Sequence, residues 1–93
     1  MKEVYNGMHD FSVKIFHDSN EIGHLKKLKV EVDEAIEHPD DIFEYADCLL
    51  ALFAASSKAG FTFEDITNAS EEKLEILKKR KWEIGDNGLY QHI

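Results

Sequence analysis

The sequence predicts an all-α protein built around an antiparallel hairpin of two helices. Its 93 residues include only five glycines and one proline, and apolar residues recur at three- and four-residue intervals almost throughout. This spacing places the apolar residues on one face of a helix, and the shortage of helix-breaking residues favours long helices. A chain of this length is typical of one hydrophobic core, so we expect a single domain over residues 1–93.

The N-terminal half of the chain is predicted to form two helices. The first covers residues 8–17, between Gly7 and the polar residues 18–20, and the second covers residues 21–37. The second helix ends before Pro39 because the residue that precedes a proline disfavours helical dihedral angles. Apolar stripes support both helices: Val4, Met8, Phe11 and Ile15 in the first, and Leu25, Leu28, Val32, Ala35 and Ile36 in the second.

The third helix is predicted to run from the turn at Pro39 to Ala59. Asp40 or a neighbour can cap its start, and Pro39 suits its first turn. Gly60 is a suitable residue for its end. We expect its buried face to consist of apolar residues at helical spacing: Ile42, Phe43, Ala46, Leu49, Leu50 and Phe53. Because only a few residues join the second and third helices, the two must be antiparallel neighbours.

The C-terminal third is predicted to contain a helix, a turn and a tail. The fourth helical region follows Thr62, with the polar residues 68–70 as a candidate break. Gly85–Gly88 combines glycine, aspartate and asparagine and is therefore predicted to be a turn. Residues 89–93 are expected to form a short tail.

The charge balance and the apolar runs argue against several partner classes. Lysine and arginine number 11 against 19 aspartates and glutamates, a net charge of −8, which disfavours binding to duplex nucleic acid. A small phosphorylated ligand remains compatible if metal ions supply positive charge. The longest apolar run, residues 48–55, is far shorter than the ~20 residues of a membrane span, and no basic-then-apolar leader opens the sequence. We therefore expect no membrane partner and a cytoplasmic location.

Two pairs of acidic residues flank the turn. Glu31 and Glu34 are three residues apart on the second helix, so they share one helix face. Glu44 and Asp47 are related in the same way on the third helix. The two pairs are symmetric about Pro39, and residues equidistant from the turn face each other in an antiparallel hairpin. This symmetry places Glu34 opposite Glu44 and brings the outer two acids together.

Such a cluster is costly unless something compensates its charge. Two like charges about 4 Å apart repel by roughly 4 kcal/mol at an effective dielectric constant near 20. The chain must raise the pKa of these carboxyl groups, turn them into solvent or bind cations. Oxygen ligands without histidine or cysteine suit Mg²⁺ or Mn²⁺. Acidic pairs at this spacing are common in an acidic protein, so a solvated acidic face remains the alternative.

The acidic pairs and the C-terminal sequence resemble the MazG-like all-α nucleoside triphosphate pyrophosphohydrolase superfamily, whose signature is E-x-x-E followed by E-x-x-D. The likeness is closest to its short phage and bacterial branch, the dATP/dGTP diphosphohydrolase-like proteins. Four stretches carry it: His24-Leu25, Glu34 to Asp41, Glu44 to Leu49, and Arg80-Lys81-Trp82 with Gly88 to Ile93.

The resemblance implies a fold, a reaction and roles for individual residues. The fold is a helical hairpin completed by oligomerisation as a dimer or tetramer. The reaction is hydrolysis of a (deoxy)nucleoside triphosphate to the monophosphate and pyrophosphate, in a bacterial cytoplasm or in that of a phage host. Mg²⁺, or alternatively Mn²⁺, would be held by four acids: Glu31, Glu34, Glu44 and Asp47. Glu34 is also the candidate general base.

Three residues beyond the hairpin are candidates for binding substrate. Lys73 and Arg80 belong to a group of five basic residues within positions 73–81 that would face phosphate, and Trp82 would stack on a base. The alternative for the basic group is a solvated helix end, where positive charge interacts favourably with the helix dipole. The alternative for the tryptophan is a place in the core.

Two non-catalytic hypotheses remain open. The first is an acidic helical interaction module whose carboxylates are solvated or hold only a structural ion. The second is an acidic mimic of DNA, which requires acids spread over the surface, whereas the acids here concentrate around the hairpin.

Overall fold

The computed structural model describes residues 1–93 and contains four α-helices followed by a small antiparallel sheet. The elements are α1 (Lys2–Ile15), α2 (Glu21–Glu37), α3 (Ile42–Lys58), α4 (Phe63–Lys79), β1 (Trp82–Ile84) and β2 (Tyr90–His92). The predicted all-α class is confirmed, because helices form the bulk of the chain. None of the helices has the length and apolar character needed to traverse a lipid bilayer. The residues group into two compact units, Met1–Phe63 and Glu64–Ile93.

Helix α1 begins earlier than predicted and buries different residues. It starts at Lys2 rather than near residue 8, and it ends at Ile15. Its buried residues are Tyr5 and Ser12, whereas Phe11 and Ile15 are about half exposed. The predicted stripe was wrong because α1 packs through two hydrogen-bonding side chains, which a search for apolar periodicity does not detect.

Helices α2 and α3 form the predicted hairpin, and polar side chains define where both begin. Asn20 Oδ1 accepts a hydrogen bond from the Gly23 amide at 3.0 Å. Asp41 Oδ1 accepts one from the Phe43 amide at 2.9 Å. These caps satisfy amides that have no partner inside the helix. Pro39 lies in the connecting turn rather than in the first turn of α3, which corrects the prediction, because Asp41 caps the helix two residues later.

The core of the Met1–Phe63 unit is small, and α3 supplies most of it. Its buried apolar residues from α3 are Ala51, Phe53, Ala54 and Ala55. Tyr5 of α1 packs edge-on against Phe53, with ring centroids 5.0 Å apart. The Tyr5 hydroxyl donates to the carbonyl of Phe61 at 2.8 Å and is also hydrogen-bonded to the Ser56 hydroxyl. The alanines allow neighbouring helices to approach α3 closely.

The predicted buried face of α3 is mostly exposed. Ile42 and Phe43 are each 74% exposed, Ala46 is exposed as well, and Phe53 is the fully buried member of the predicted set. The apolar stripe of α2 is similar, since Ile36 is 70% exposed. The prediction was wrong because the interior is formed by the C-terminal half of α3, where Phe53 is buried together with Ala51, Ala54 and Ala55. The hairpin therefore carries apolar surface on its outside.

The C-terminal residues form more regular structure than predicted. Helix α4 continues through residues 68–70, so the candidate break there is wrong. The turn at Gly85–Gly88 is confirmed: Gly88 adopts a φ of 79°, and the Gly85 amide donates to the carbonyl of Leu89 at 2.7 Å. The expected tail instead contains β2, which pairs antiparallel with β1. Strands of three residues are too short for their alternating pattern to be recognised.

Candidate active site

The hairpin brings three of the four predicted acids into one cluster. Glu31, Glu44 and Asp47 each offer a carboxylate oxygen, and these oxygens lie within 4.8 Å of one another. Glu31 is buried, Glu44 is half-buried and Asp47 is exposed, so the cluster opens to solvent at Asp47. The symmetry about the turn accounts for the meeting of Glu31 with Asp47, because positions equidistant from the turn face each other on antiparallel helices. Glu34, the predicted partner of Glu44, is not one of the three acids that converge.

Glu34 borders this cluster through a hydrogen bond to Glu31. Two carboxyl groups share a hydrogen bond only when one of them is protonated. The bond to Glu31 and the negative charge of Glu31 raise the pKa of Glu34, and the charge of Glu44 makes a smaller contribution. Of the two groups, Glu34 therefore takes up a proton more readily than Glu31, and the four predicted acids form one electrostatic group.

Glu31 is kept ionised by a lysine one turn earlier on α2. Lys27 Nζ lies 3.0 Å from Glu31 Oε1. The hydrogen bond from Lys27 lowers the pKa of Glu31. The same bond raises the pKa of Lys27, and the charges of Glu34 and Asp47 add to this rise. Glu31 therefore favours its ionised form, while the neighbouring Glu34 takes up a proton more readily than an ordinary glutamate.

The cluster offers ligand atoms that suit a cation, and one of its buried oxygens has no hydrogen-bond partner. Its ligands are carboxylate oxygens, the type that Mg²⁺ and Mn²⁺ prefer. Glu44 Oε2 is shielded from solvent and has no hydrogen-bond partner. A buried oxygen without a partner costs free energy, and a divalent ion would supply the missing interaction. The residues present therefore fit a metal centre.

A cavity of about 240 Å³ adjoins the cluster. Glu31, Asp47 and Lys27 line one part of it. The other lining residues are mostly apolar: Met8, Phe11, Phe16, His24, Leu50 and Ala51. The ring centroids of Phe11 and Phe16 lie 5.4 Å apart, and both side chains are nearly half exposed. The acidic cluster thus meets an aromatic-lined cavity within one compact unit.

His24 anchors the helices that form this cavity. Its Nε2 lies 3.0 Å from Ser12 Oγ and 2.7 Å from Ser19 Oγ. Burial lowers the pKa of His24, and the charge of Lys58 lowers it further, so the ring is neutral near pH 7. The spacing of the sequence places His24 on the same helix face as Glu31, but neither serine carries a signal that would reveal this network.

The sequence profile of the dATP/dGTP pyrophosphohydrolase family matches residues 4–92. The chain belongs to this family. Over 73 residues it is 34% identical to the dATP/dGTP diphosphohydrolase of cyanophage S-2L. The aligned region covers 76% of this chain and 67% of that protein. It is also 42% identical over 73 residues to the Eaa protein of Salmonella phage P22, covering 78% of this chain. The match spans 23% of the Eaa protein, so this pyrophosphohydrolase family member corresponds to a minor part of that relative.

The fold supports the same family. A solved structure, the cyanophage S-2L MazG-like pyrophosphohydrolase bound to dGDP and three catalytic Mn²⁺ ions per active site, matches this chain with a TM-score of 0.82 and 30% identity. The match covers 98% of this chain and 94% of that chain. The predicted MazG-like superfamily, its short phage branch and the enzyme class of nucleotide pyrophosphohydrolase are therefore confirmed at the level of the family.

The substrate-binding candidates of this pyrophosphohydrolase lie in its C-terminal unit. Lys73 is exposed on α4, Arg80 is half-buried just after α4, and Trp82 is the first residue of β1. The Trp82 indole donates to the carbonyl of Leu77 at 2.9 Å, and its ring meets that of His92 edge-on. Trp82 is 41% exposed, so it is not a core residue. The binding roles of all three candidates stay predictions.

Proposed function

We propose that the chain hydrolyses a (deoxy)nucleoside triphosphate to the monophosphate and pyrophosphate, using Mg²⁺ or Mn²⁺. The observation that carries the proposal is the convergence of Glu31, Glu44 and Asp47 beside an aromatic-lined cavity. Two relatives support it: one is named a dATP/dGTP diphosphohydrolase, and the structural neighbour is bound to dGDP and Mn²⁺. Purine deoxyribonucleotides are therefore the first substrates to test, and the phage relatives favour a bacterial host cytoplasm as the location.

The proposed metal ligands are the four acids of the hairpin: Glu31, Glu34, Glu44 and Asp47. Bound divalent ions neutralise phosphate oxygens and lower the pKa of water. Two packed helices fix the spacing of the acids, so the ligands need little rearrangement to work together.

Glu34 is the proposed general base. Its pKa is raised by Glu31, which makes the ionised Glu34 a stronger proton acceptor than an ordinary carboxylate. Glu34 takes a proton from the attacking water while the water oxygen bonds to the α-phosphorus. The bond from the α-phosphorus to the oxygen that bridges it to the β-phosphorus then breaks. Pyrophosphate leaves with that electron pair, and the nucleoside monophosphate remains.

The cavity beside the acidic cluster is the proposed position of the nucleoside. A nucleotide has a charged end that needs cations and a flat aromatic end, and the cluster and the cavity match these two ends in adjacent positions. Phe11 and Phe16 present rings at the cavity on which a base can stack. Stacking of this kind contributes about 1–3 kcal/mol per base in proteins that bind single-stranded nucleic acids.

Three residues of the C-terminal unit complete the proposal for substrate binding. Lys73 and Arg80 are assigned to phosphate oxygens, for which arginine offers paired donors and lysine a compact charge. Trp82 is assigned to the base, since the residue is 41% exposed and its aromatic ring can stack on a base.

We also propose that the chain works as a homo-oligomer, a dimer or a tetramer. The outer side of α2 carries an apolar groove, whose main apolar residues are Ile22, Leu25, Leu28 and Val32. Contiguous exposed apolar surface marks interaction sites, and a small domain with a small core gains stability by association. A second copy of the chain can cover this groove with the same apolar stripe.

Pyrophosphate release from a panel of NTPs and dNTPs, one nucleotide at a time with Mg²⁺ or Mn²⁺, tests the proposed reaction. We expect one pyrophosphate per monophosphate formed. Glu34→Gln should lower kcat by about 10²–10⁴-fold, the usual contribution of a general base. Glu37→Gln makes the same chemical change one turn later, at an exposed position outside the cluster, and should leave kcat nearly unchanged.

Failure to hydrolyse any nucleotide in the panel would contradict the enzymatic proposal. It would favour the non-catalytic interaction module instead. Equal losses in Glu34→Gln and Glu37→Gln would contradict the assignment of the base while leaving the reaction in place.

A further inference from the structure

Lys27 contacts the acidic cluster directly. Its Nζ lies 3.0 Å from Oε1 of Glu31, which follows four residues later on α2. The Glu31 side chain is 11% exposed, whereas that of Lys27 is 60% exposed. The ammonium group therefore reaches a mostly buried carboxylate from the solvent side.

Packing and charge both direct the Lys27 side chain toward the cluster. It lines the cavity beside Glu31 and Asp47, and it also lines a neighbouring cavity with Phe16 and His24. A partly aromatic lining suits the apolar stem of a lysine. Its ammonium faces the negative potential of several carboxylates.

We propose that Lys27 competes with the divalent ion for Glu31. This inference rests on the proposed metal role of the acidic cluster. An ammonium that is hydrogen-bonded to a carboxylate oxygen occupies lone pairs and space that a metal ion also needs, and two cations so close together repel. Metal binding therefore requires the ammonium to move away from Glu31.

The competition gives Lys27 a definite effect on the site. In the absence of a divalent ion, the ammonium offsets part of the repulsion among the carboxylates. When a divalent ion binds, that stabilisation has to be given up. Lys27 thereby raises the metal concentration at which the site fills.

Calorimetric titration of the full chain with MnCl₂ alone tests this proposal. Lys27→Gln removes the charge and keeps a polar side chain, and it should bind Mn²⁺ roughly five- to tenfold more tightly than the wild type, as expected for removing one nearby charge in a solvent-exposed setting. Lys26→Gln makes the same change in net charge at the adjacent position and should bind Mn²⁺ like the wild type. Lys27→Arg keeps the charge and should bind Mn²⁺ no more tightly than the wild type.

Thermal unfolding provides a second readout that does not depend on activity. In a chelator, Lys27→Gln should melt at a lower temperature than Lys26→Gln, because the carboxylates lose their counter-charge. As Mn²⁺ is added, the melting temperature of Lys27→Gln should begin to rise at a lower Mn²⁺ concentration than that of the wild type.

Equal Mn²⁺ affinities in Lys27→Gln and Lys26→Gln would overturn the competition and leave the metal centre standing. Weaker Mn²⁺ binding by Lys27→Gln would also overturn it, because Lys27 would then support metal binding. A wild-type chain that binds no Mn²⁺ would overturn the competition and the proposed metal centre together.

Discussion

Asp47 offers a direct test of whether the acidic cluster is a metal centre under electrostatic strain. Its carboxylate oxygen lies within 4.8 Å of those of Glu31 and Glu44. Each pair of charges at that separation repels by about 0.9 kcal/mol in a water-like dielectric and by about 3.5 kcal/mol at an effective dielectric constant of 20. The lower figure applies because Asp47 is exposed, and attraction to Lys27 offsets part of the sum. We therefore expect Asp47→Asn to stabilise the folded chain in a chelator by about 1 kcal/mol, or roughly 4–8 °C in Tm.

The same substitution should remove the response to metal. A ligand that binds only the folded state stabilises it by about 1.4 kcal/mol at ten times its Kd, which is roughly 6–11 °C for a domain of this size. The wild type should show this rise with Mn²⁺, and Asp47→Asn should lose most of it. Asp40→Asn removes an exposed acid in the turn, and this variant should keep the rise in Tm with Mn²⁺.

Differential scanning calorimetry measures both effects on one set of samples. Each variant is melted first in EDTA and then at increasing Mn²⁺, at one protein concentration, because association makes Tm concentration-dependent. The reasoning is refuted by an Asp47→Asn variant that melts below the wild type in EDTA, or by one that responds to Mn²⁺ as the wild type does.

Two further predictions concern the surroundings of the cluster. Burial lowers the pKa of His24 from its ordinary value of 6.5, so the folded state prefers the neutral ring. The stability that this preference contributes is complete above pH 6.5 and is lost as the pH falls toward the folded-state pKa. Melting curves between about pH 7.5 and about pH 5 should show a smaller loss for His24→Gln than for the wild type. His38→Gln, at an exposed position, should behave like the wild type, and equal slopes in all three proteins would contradict the role of His24. For the oligomer, sedimentation velocity should show a dimer or tetramer that Val32→Asp shifts toward monomer, because it places a charge in the α2 groove, while Asn68→Asp on α4 does not. A wild type that sediments as a monomer at every concentration would contradict the proposed assembly.

The second helix and the acidic cluster could be predicted because both depend on local rules. Helix α2 spans Glu21–Glu37, the predicted range, since Asn20 caps its start and the turn at Pro39 limits its end. The convergence of Glu31 with Asp47 follows from antiparallel geometry alone, which requires only a short connection between the helices. No knowledge of the rest of the fold is needed for either inference.

The buried face of the hairpin could not be predicted in the same way. Helix α3 has a stripe of large apolar residues and a run of small ones, and both fit helical spacing. Periodicity does not say which face a neighbouring helix covers, and here Ala54 is fully buried while Phe43 is exposed. The contacts of Ser12 and Tyr5 depend on hydrogen bonds to residues far along the chain, so their burial has no local signature.

The electrostatics of the cluster link these observations to a function. The repulsion among its acids is relieved in three separate ways: Lys27 pairs with Glu31, Glu34 has a raised pKa because of Glu31, and Asp47 is exposed to solvent. None of these reaches Glu44, whose buried oxygen remains without a partner. A purely structural cluster gains nothing from such incomplete compensation, because replacing one acid by a neutral residue would stabilise the hairpin more simply. A divalent ion that coordinated Glu44 would also neutralise its neighbours, and this shared benefit supports the proposed role of the cluster as a metal site.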